Sequence, residues 1–198
     1  IILFLIETGV RAGEFESIRN SDIDLENRIL TISKSRALRY KDADMPEEGV
    51  EYYFKVTKGR QERQIYLSDF ALELVHVMME QTKSKAPENP FDLLYPSFSK
   101  GNKPRTNSSM ENTLKDLCNR LEIDRDVRIS KTGQKKGCSL HTCRHSYDSI
   151  ANNAIGSNPI ATALSMGHKS INTQNIYTHM TEDARKSIKT ASSEILGI

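Results

Sequence analysis

Strand-like patterns in this chain are confined to the stretch between residues 29 and 67, and helical patterns fill the rest. Residues 29–33 alternate apolar and polar side chains, whereas residues 52–57 and 62–67 are rich in β-branched and aromatic residues around a turn at 58–61. The polar, acidic residues 34–51 are expected to form an inserted loop. The sequence therefore predicts a mainly α-helical (α+β) fold with one small three-stranded antiparallel sheet.

Helices are expected on both sides of this sheet. Residues 1–19 have helical spacing that is interrupted at Thr8 and Gly9, and Ser68 or Asp69 caps the first helix after the strands. Later helical segments are predicted at residues 108–121, 140–154, 158–167, 173–178 and 182–196, with a basic loop at 125–137. The 198 residues contain no internal repeat and no change in composition that would mark a second domain. The chain is therefore predicted to be one domain, 1–198.

Composition argues against several classes of protein. Apolar residues make up 37% and charged residues 27%, as in ordinary folded domains, and no apolar run approaches the roughly 20 residues needed to cross a bilayer. No signal peptide or membrane partner is expected, and the first helix is expected to continue upstream. Three cysteines that lack CxxC spacing favour reduced cytoplasmic thiols over disulfides or zinc: Cys118, Cys138 and Cys143.

Basic residues are clustered although the formal net charge is only +2. Between Arg125 and Arg144 there are six Lys or Arg residues and one acid, and between Lys55 and Gln64 there are four and one. Acidic residues gather at residues 42–51. Segregated charge suits a basic face that binds a polyanion, although a solvated surface also produces such clusters.

Five basic side chains and a tyrosine occur in an order that suits attack on a phosphodiester: Arg11, Lys58, His141, Arg144, His168 and Tyr177. Guanidinium groups donate bidentately to phosphate oxygens, and a histidine or lysine can transfer a proton. A tyrosine, whose ordinary pKa of about 10 falls near positive charge, can attack phosphorus. The resulting ester conserves the bond energy, so neither metal nor ATP is needed. His141 and Arg144, three residues apart on a predicted helix, are expected to share one face.

These residues resemble the tyrosine recombinases, also called phage integrases, over essentially the whole chain. Thr-Gly-Val-Arg at residues 8–11, followed by Glu14, is similar to the first arginine box of the family. Lys58-Gly59 before residues 62–67 resembles the hairpin that carries the family's lysine. His-Thr-Cys-Arg-His at 141–145, Met-Gly-His at 166–168 and Tyr-Thr-His at 177–179 resemble the second box.

The resemblance implies the tyrosine recombinase catalytic-domain fold and a division of roles. Five residues would activate the phosphate, Tyr177 would be the nucleophile, and Glu14 would support the arginine site. The activating residues would be Arg11, Lys58, His141, Arg144 and His168. Structural hydrogen bonding is favoured for His145 and His179. Contacts to DNA are further expected from Arg60, Lys103, Arg105, Arg128, Lys131, Lys135 and Lys136.

The implied function is a site-specific recombinase or integrase that cuts and rejoins DNA through a covalent 3′-phosphotyrosine, without cofactor. Its partners would be double-stranded DNA at an attachment or recombination site and, on synapsed DNA, three further copies in a homotetramer. Without DNA it would be a monomer. The family's N-terminal DNA-binding domain is expected upstream, and the location is expected to be the bacterial cytoplasm, with the nucleoid. The long stretch at 34–51 favours an integrase of a mobile element over a chromosomal resolvase.

Other interpretations compete with this one. Each residue alone could be structural, and the helix at 182–196 could dock on a neighbouring protomer or on its own core. A DNA-binding module without cleavage activity would show a broken set of residues. A metal hydrolase built on His141, His145 and His168 is disfavoured because Arg144 would repel a cation. A type IB topoisomerase shares the chemistry, but the spacing from His168 to Tyr177 favours a recombinase.

Overall fold

The N-terminal helical segment is divided at Gly9, as the sequence predicts. The computed structural model describes residues 1–38, 52–56, 62–99, 103–124, 128–129, 135–153 and 159–167. The helices are α1 (Ile2–Thr8), α2 (Ala12–Phe15), α3 (Asp69–Lys85), α4 (Asn107–Arg120), α5 (Leu140–Asn153) and α6 (Pro159–Ser165). The strands are β1 (Ile23–Asp24), β2 (Ile29–Ile32), β3 (Lys34–Leu38), β4 (Tyr52–Val56), β5 (Arg63–Tyr66), β6 (Arg128–Ile129) and β7 (Lys135–Lys136).

A three-stranded antiparallel sheet is present, but its third member is not the one that the sequence predicts. Strand β2 lies in the middle, between β1 and β5, with Ile29 opposite Tyr66 and Ile32 opposite Arg63. Strand β4 pairs instead with β3, so that the segments expected to form one hairpin belong to two different sheets. The fold class is confirmed, whereas the expected pairing of 52–57 with 62–67 is wrong.

Strand β3 occupies the first residues of the expected loop. Its sequence is polar, yet Arg36 lies opposite Phe54 and donates from Nη1 to Oε2 of Glu16 at 2.8 Å. Both side chains of this pair are buried. A hydropathy pattern scores Arg36 as an exposed residue, because the glutamate that allows it to be buried lies 20 residues away in the sequence. The strand was therefore not visible in the sequence.

Local capping explains why the helices begin where the sequence predicts. The Ser68 hydroxyl accepts a hydrogen bond from the Ala71 amide at 3.0 Å, and Thr106 accepts one from Ser109 at 3.1 Å. Within the expected basic loop, the short strands β6 and β7 pair with each other. The expected turn at 58–61 and the helices at 173–178 and 182–196 lie outside the described residues.

The core is formed by α1, α3, α4, α5 and the inner faces of β2 and β5. Fully buried side chains include Phe4, Leu30, Leu67, Val75 and Met110, and the rings of Phe4 and Phe15 lie 5.6 Å apart. Helix α1 packs against α5, which brings the first motif of the sequence next to the second. None of the helices in the described part of the chain combines the length and apolar character needed to span a bilayer.

Candidate active site

Arg11 lies at the start of α2, where its backbone and its side chain both bind Glu14. The Arg11 amide donates to Oε2 of Glu14 at 2.8 Å, and Nη1 donates to Oε1 at 2.9 Å. Glu14 is buried, whereas 43% of the Arg11 side chain is exposed. The carboxylate therefore anchors one edge of the guanidinium and leaves the rest accessible from solvent.

Arg144 is buried on α5 and joins the two motif regions. Its Nη1 donates to the Gly9 carbonyl oxygen at 2.6 Å, and its Nη2 donates to the Met166 carbonyl oxygen. Burial, with the charges of Arg11 and Arg63 nearby, lowers the pKa of Arg144 to about 10. The group is still a cation at neutral pH, and two carbonyl bonds leave three of its five N–H donors for other partners.

His141 lies one turn before Arg144 on α5, and both side chains border one cleft. This cleft has a volume of about 230 Å³ and is lined by Arg11, Ala12, Asn107, Glu111, Ser139, Leu140, His141 and Arg144. Partial burial, together with His145, Arg144 and Arg11, lowers the pKa of His141 below its ordinary value. The His141 ring meets the His145 ring edge-on, with centroids 4.5 Å apart. The imidazole is therefore mainly neutral at pH 7 and can accept a proton.

The first turn of α5 is fixed by two side chains that accept backbone hydrogen bonds. Glu111 accepts from the Leu140 amide at 3.0 Å, and Thr142 accepts from the Ser139 amide at 3.1 Å. These bonds satisfy amides at a helix start that have no partner within the helix. They hold His141 at the rim of the cleft.

Arg63, a residue without a role in the prediction from sequence, binds Glu14 together with Arg11. It is buried on β5 and forms a two-bond fork with Glu14, from Nη1 to Oε1 at 3.0 Å and from Nη2 to Oε2 at 2.7 Å. Its Nε donates to the Ser165 carbonyl oxygen at 2.8 Å. The signal in the sequence is an arginine that shares the apolar face of a strand with Ile65 and Leu67.

Glu14 remains ionised because of these arginines. Burial by itself would raise its pKa, but the hydrogen bonds and charge of Arg63, followed by those of Arg11, hold the pKa below its ordinary value. Arg63, Glu14 and Arg11 therefore form a chain of charge-assisted bonds that runs from strand β5 to the cleft.

The chain turns after α6 at Gly167, whose φ of 67° is in the left-handed region. Nη2 of Arg11 lies 3.5 Å from the Gly167 carbonyl oxygen. The structure thus brings Arg11, Glu14, His141 and Arg144 together beside the end of α6. The other predicted catalytic residues lie outside the described residues: Lys58, His168 and Tyr177.

Among the predicted DNA-contact residues, the structure describes the side chains of Lys103 and Arg105. Lys103 is exposed, whereas the Arg105 guanidinium stacks on the rings of Tyr95 and Phe98, at 4.4 and 5.2 Å from their centroids. For Arg128, Lys135 and Lys136 only the backbone path, in β6 and β7, is described. Two more lie outside the described residues: Arg60 and Lys131.

Clusters of metal-ligand type are absent from the described residues. No group of three or more His, Cys, Asp or Glu side chains there could hold a metal ion. His141 and His145 are neighbours in this region, and the positive charges of Arg144 and Arg11 lie near His141.

The Phage integrase family model matches residues 1–184. The chain belongs to the phage integrase family. It is similar to the tyrosine recombinase XerA of Saccharolobus solfataricus, with 25% identity over 92% of this chain and 46% of the relative. It is also similar to the transposase of transposon Tn916 from Enterococcus faecalis, with 29% identity over 92% of this chain and 42% of the relative. The chain therefore spans about half the length of these curated relatives.

Solved structures of the phage integrase family confirm the predicted catalytic-domain fold. The integrase of transposon Tn1549, in complex with a circular intermediate DNA, matches 100% of this chain and 57% of its own with a TM-score of 0.64 and 24% identity. The XerA recombinase crystal structure matches 96% of this chain and 56% of its own, with a TM-score of 0.56 and 22% identity.

Proposed function

We propose that this chain is the catalytic domain of a site-specific DNA recombinase that cuts and rejoins strands through a covalent 3′-phosphotyrosine. One observation carries the proposal. Arg144, held by the Gly9 and Met166 carbonyl oxygens, borders the same cleft as Arg11 and His141. Two guanidinium groups and an imidazole around one cleft suit a phosphodiester better than any neutral ligand.

In this mechanism the two arginines stabilise the negative charge on the non-bridging phosphate oxygens in the transition state. Arg11 and Arg144 donate to the non-bridging oxygens, and Glu14 restrains Arg11 during the reaction. Because Arg144 is already bound to two carbonyl oxygens, it needs little further ordering when the phosphate arrives. Fixed donors of this kind favour the transition state over the freely hydrated substrate.

The covalent step is an exchange of one phosphate ester for another. The Tyr177 phenol oxygen attacks phosphorus and the bond to the 5′ oxygen breaks, while the phenol loses its proton and the leaving oxygen gains one. His141, mainly neutral at pH 7, is suited to accept the phenol proton, and Lys58 and His168 are assigned as donors from the family resemblance. Rejoining is the same exchange in reverse, so no metal, ATP or other cofactor is required.

The proposed partner is double-stranded DNA. The similar structures include the Tn1549 integrase with circular intermediate DNA and the XerH recombinase bound to its difH substrate, which supports this partner. Two duplexes contain four strands to be cut, so four copies of this chain would act together, and a monomer is expected without DNA. Similarity to the Tn916 transposase supports a role in a mobile element. A DNA-binding domain upstream of residue 1 and a place in the bacterial cytoplasm, with the nucleoid, complete the proposal.

Covalent capture on DNA tests the nucleophile. The chain is incubated, with and without EDTA, with a pool of end-labelled, nicked duplexes of randomised sequence, and denaturing gels detect DNA that remains attached to protein. Sequencing the attached DNA then gives the target. We expect an adduct with the wild type that Tyr177→Phe abolishes.

Tyr147→Phe is the matched control. This second tyrosine is buried and bonded to Ser165, and burial raises the pKa of its phenol, so it is a poor nucleophile. The Tyr147 variant should still form the adduct. An adduct that persists in Tyr177→Phe, or a wild type that forms none with or without EDTA, would falsify the proposed function, and an adduct that forms only without EDTA would show that a metal is required.

A further inference from the structure

We infer that Arg63 is a positioning residue for strand cleavage, which aligns Arg11 through Glu14 and fixes the end of α6 that leads into His168. The inference rests on the proposed function and adds to it a residue outside the cleft. Arg63 does not line the cleft, so any effect on the reaction passes through other residues.

Both carboxylate oxygens of Glu14 are fully hydrogen-bonded. Each of its oxygens accepts two bonds: Oε1 from Nη1 of Arg63 at 3.0 Å and Nη1 of Arg11 at 2.9 Å, and Oε2 from Nη2 of Arg63 at 2.7 Å and the Arg11 amide at 2.8 Å. A carboxylate offers about four acceptor positions. All are used, so the plane of the carboxylate is fixed, and with it the edge of Arg11 that it holds.

Arg63 also contacts the end of α6. Nε donates to the Ser165 carbonyl oxygen at 2.8 Å, and a Cβ added at Gly167 would lie 3.3 Å from Cδ of Arg63. One planar guanidinium therefore binds the start of α2 through Glu14 and the end of α6 directly. A lysine would keep the charge but could not reproduce this three-donor geometry.

Arg63 also places a positive charge close to Arg144. Arg11 and Arg63 both bind the Glu14 carboxylate, and Arg144 lies near enough to these two guanidinium groups that their charges contribute to its lowered pKa. Arg63 thereby adds to the positive potential of the cleft. A purely structural ion pair would need only one cation for one carboxylate, whereas this excess favours an incoming phosphate.

A second buried pair in the same chain provides a matched comparison. Arg36 donates to Glu16 at 2.8 Å, with side-chain exposures of 5% and 4%, against 5% and 2% for Arg63 and Glu14. Arg36 contacts neither Arg11 nor the end of α6 through any hydrogen bond of the described residues. If burial of an arginine–glutamate pair were all that mattered, the two arginines would be equivalent.

The experiment compares Arg63→Lys with Arg36→Lys. Three quantities are measured for each: the single-turnover rate of adduct formation at saturating DNA, the Kd for the captured DNA, and the Tm. Misalignment of a catalytic group by about 1 Å costs on the order of 100-fold in rate. We therefore expect Arg63→Lys to slow the reaction about 100-fold with Kd changed less than about threefold, and Arg36→Lys to lower the Tm while the rate stays within about threefold.

Two further variants test the route through Glu14. Glu14→Gln keeps the volume but weakens the fork, so it should slow the reaction to a similar extent even if Arg63→Lys fails to fold. In an Arg11→Lys background, Arg63→Lys should add little, because residues that act through one another are not additive.

Each outcome decides between specific claims. A wild-type rate in Arg63→Lys or in Glu14→Gln, an equal loss of rate in Arg36→Lys, or multiplicative losses in the double variant would overturn the inference and leave the proposed function standing. A wild type that forms no adduct overturns the proposed function and this inference with it.

Discussion

Nη1 of Arg144 lies 2.6 Å from the carbonyl oxygen of Gly9, although the two residues are 135 positions apart in the chain. The same guanidinium also donates to the Met166 carbonyl oxygen. Two backbone segments are thus held by one buried cation. Backbone carbonyl oxygens accept hydrogen bonds whatever side chain the residue carries, so this contact depends on the path of the main chain.

Gly9→Ala should destabilise the protein more than Gly167→Ala. Both glycines have φ near 65°, which costs about 1–2 kcal/mol with a side chain. At Gly9 the added Cβ would also lie 2.5 Å from Cδ1 of the buried Tyr147, and overpacking of this kind adds about 1–3 kcal/mol. Urea unfolding of both variants measures the difference. Equal losses would show that the Tyr147 contact relaxes freely.

Arg144→Lys should lower both stability and activity. A lysine cannot reach both carbonyl oxygens with the same planar geometry, and a buried acceptor left without its partner costs about 1–3 kcal/mol. Losing one preorganised donor at a reacting phosphate costs about 100- to 1000-fold in rate. Unfolding free energies and single-turnover rates of adduct formation test the two effects separately. Wild-type cleavage by this variant would remove Arg144 from the mechanism.

Tyr147→Phe should cost about 1 kcal/mol, since it removes a single hydrogen bond to Ser165. Burial raises the pKa of the Tyr147 phenol above its ordinary value. The unfolded chain therefore loses this proton first, and the stability due to Tyr147 is lost as pH rises above about 10. Absorbance of tyrosinate should distinguish the variant from wild type only above that pH. A difference that already develops at lower pH would contradict the burial of this phenol.

Glu7→Gln should make the protein more stable at pH 7. Burial, partly offset by the bond from Ser68, raises the pKa of Glu7, and its Oε2 has no hydrogen-bond partner among the described residues. Because the folded state holds this proton more tightly, stability falls as pH rises from about 4.5 through the folded pKa. The amide avoids this loss, with a gain of roughly 1 kcal/mol at pH 7 and little below pH 4.

Glu14→Gln is the control for Glu7→Gln, because its effect on stability should change with pH in the opposite direction. The pKa of Glu14 is lowered in the folded state, so its ion pairs contribute stability above about pH 4.5 and lose it as pH falls through the folded pKa. The loss of stability caused by Glu14→Gln should therefore become smaller as the pH falls below about 4.5. The gain of stability from Glu7→Gln should appear only as the pH rises above about 4.5. Unfolding free energies between pH 3 and 7 compare the two, and the same pH trend in both variants would contradict this assignment.

Short-range features of this chain could be predicted from its sequence. The start of α3 at Ser68, the break at Gly9 and the proline that opens α6 each depend on residues within one helical turn. The shared face of His141 and Arg144 also follows from helical spacing. The pairing of strands could not be predicted in this way, because β3 is polar and its Arg36 is buried only through an ion pair with Glu16.

The sequence by itself determined the fold class and the helices of the described residues, and it predicted a set of residues that suits a phosphodiester, because caps, periodicity and side-chain chemistry are properties of near neighbours. Only the tertiary structure showed that Arg63 forms two hydrogen bonds to Glu14 and that Arg144 donates a hydrogen bond to the Gly9 carbonyl oxygen. A buried charge is tolerated only where the fold supplies its partner, and these partners lie 49 and 135 positions away. No local pattern contains that information.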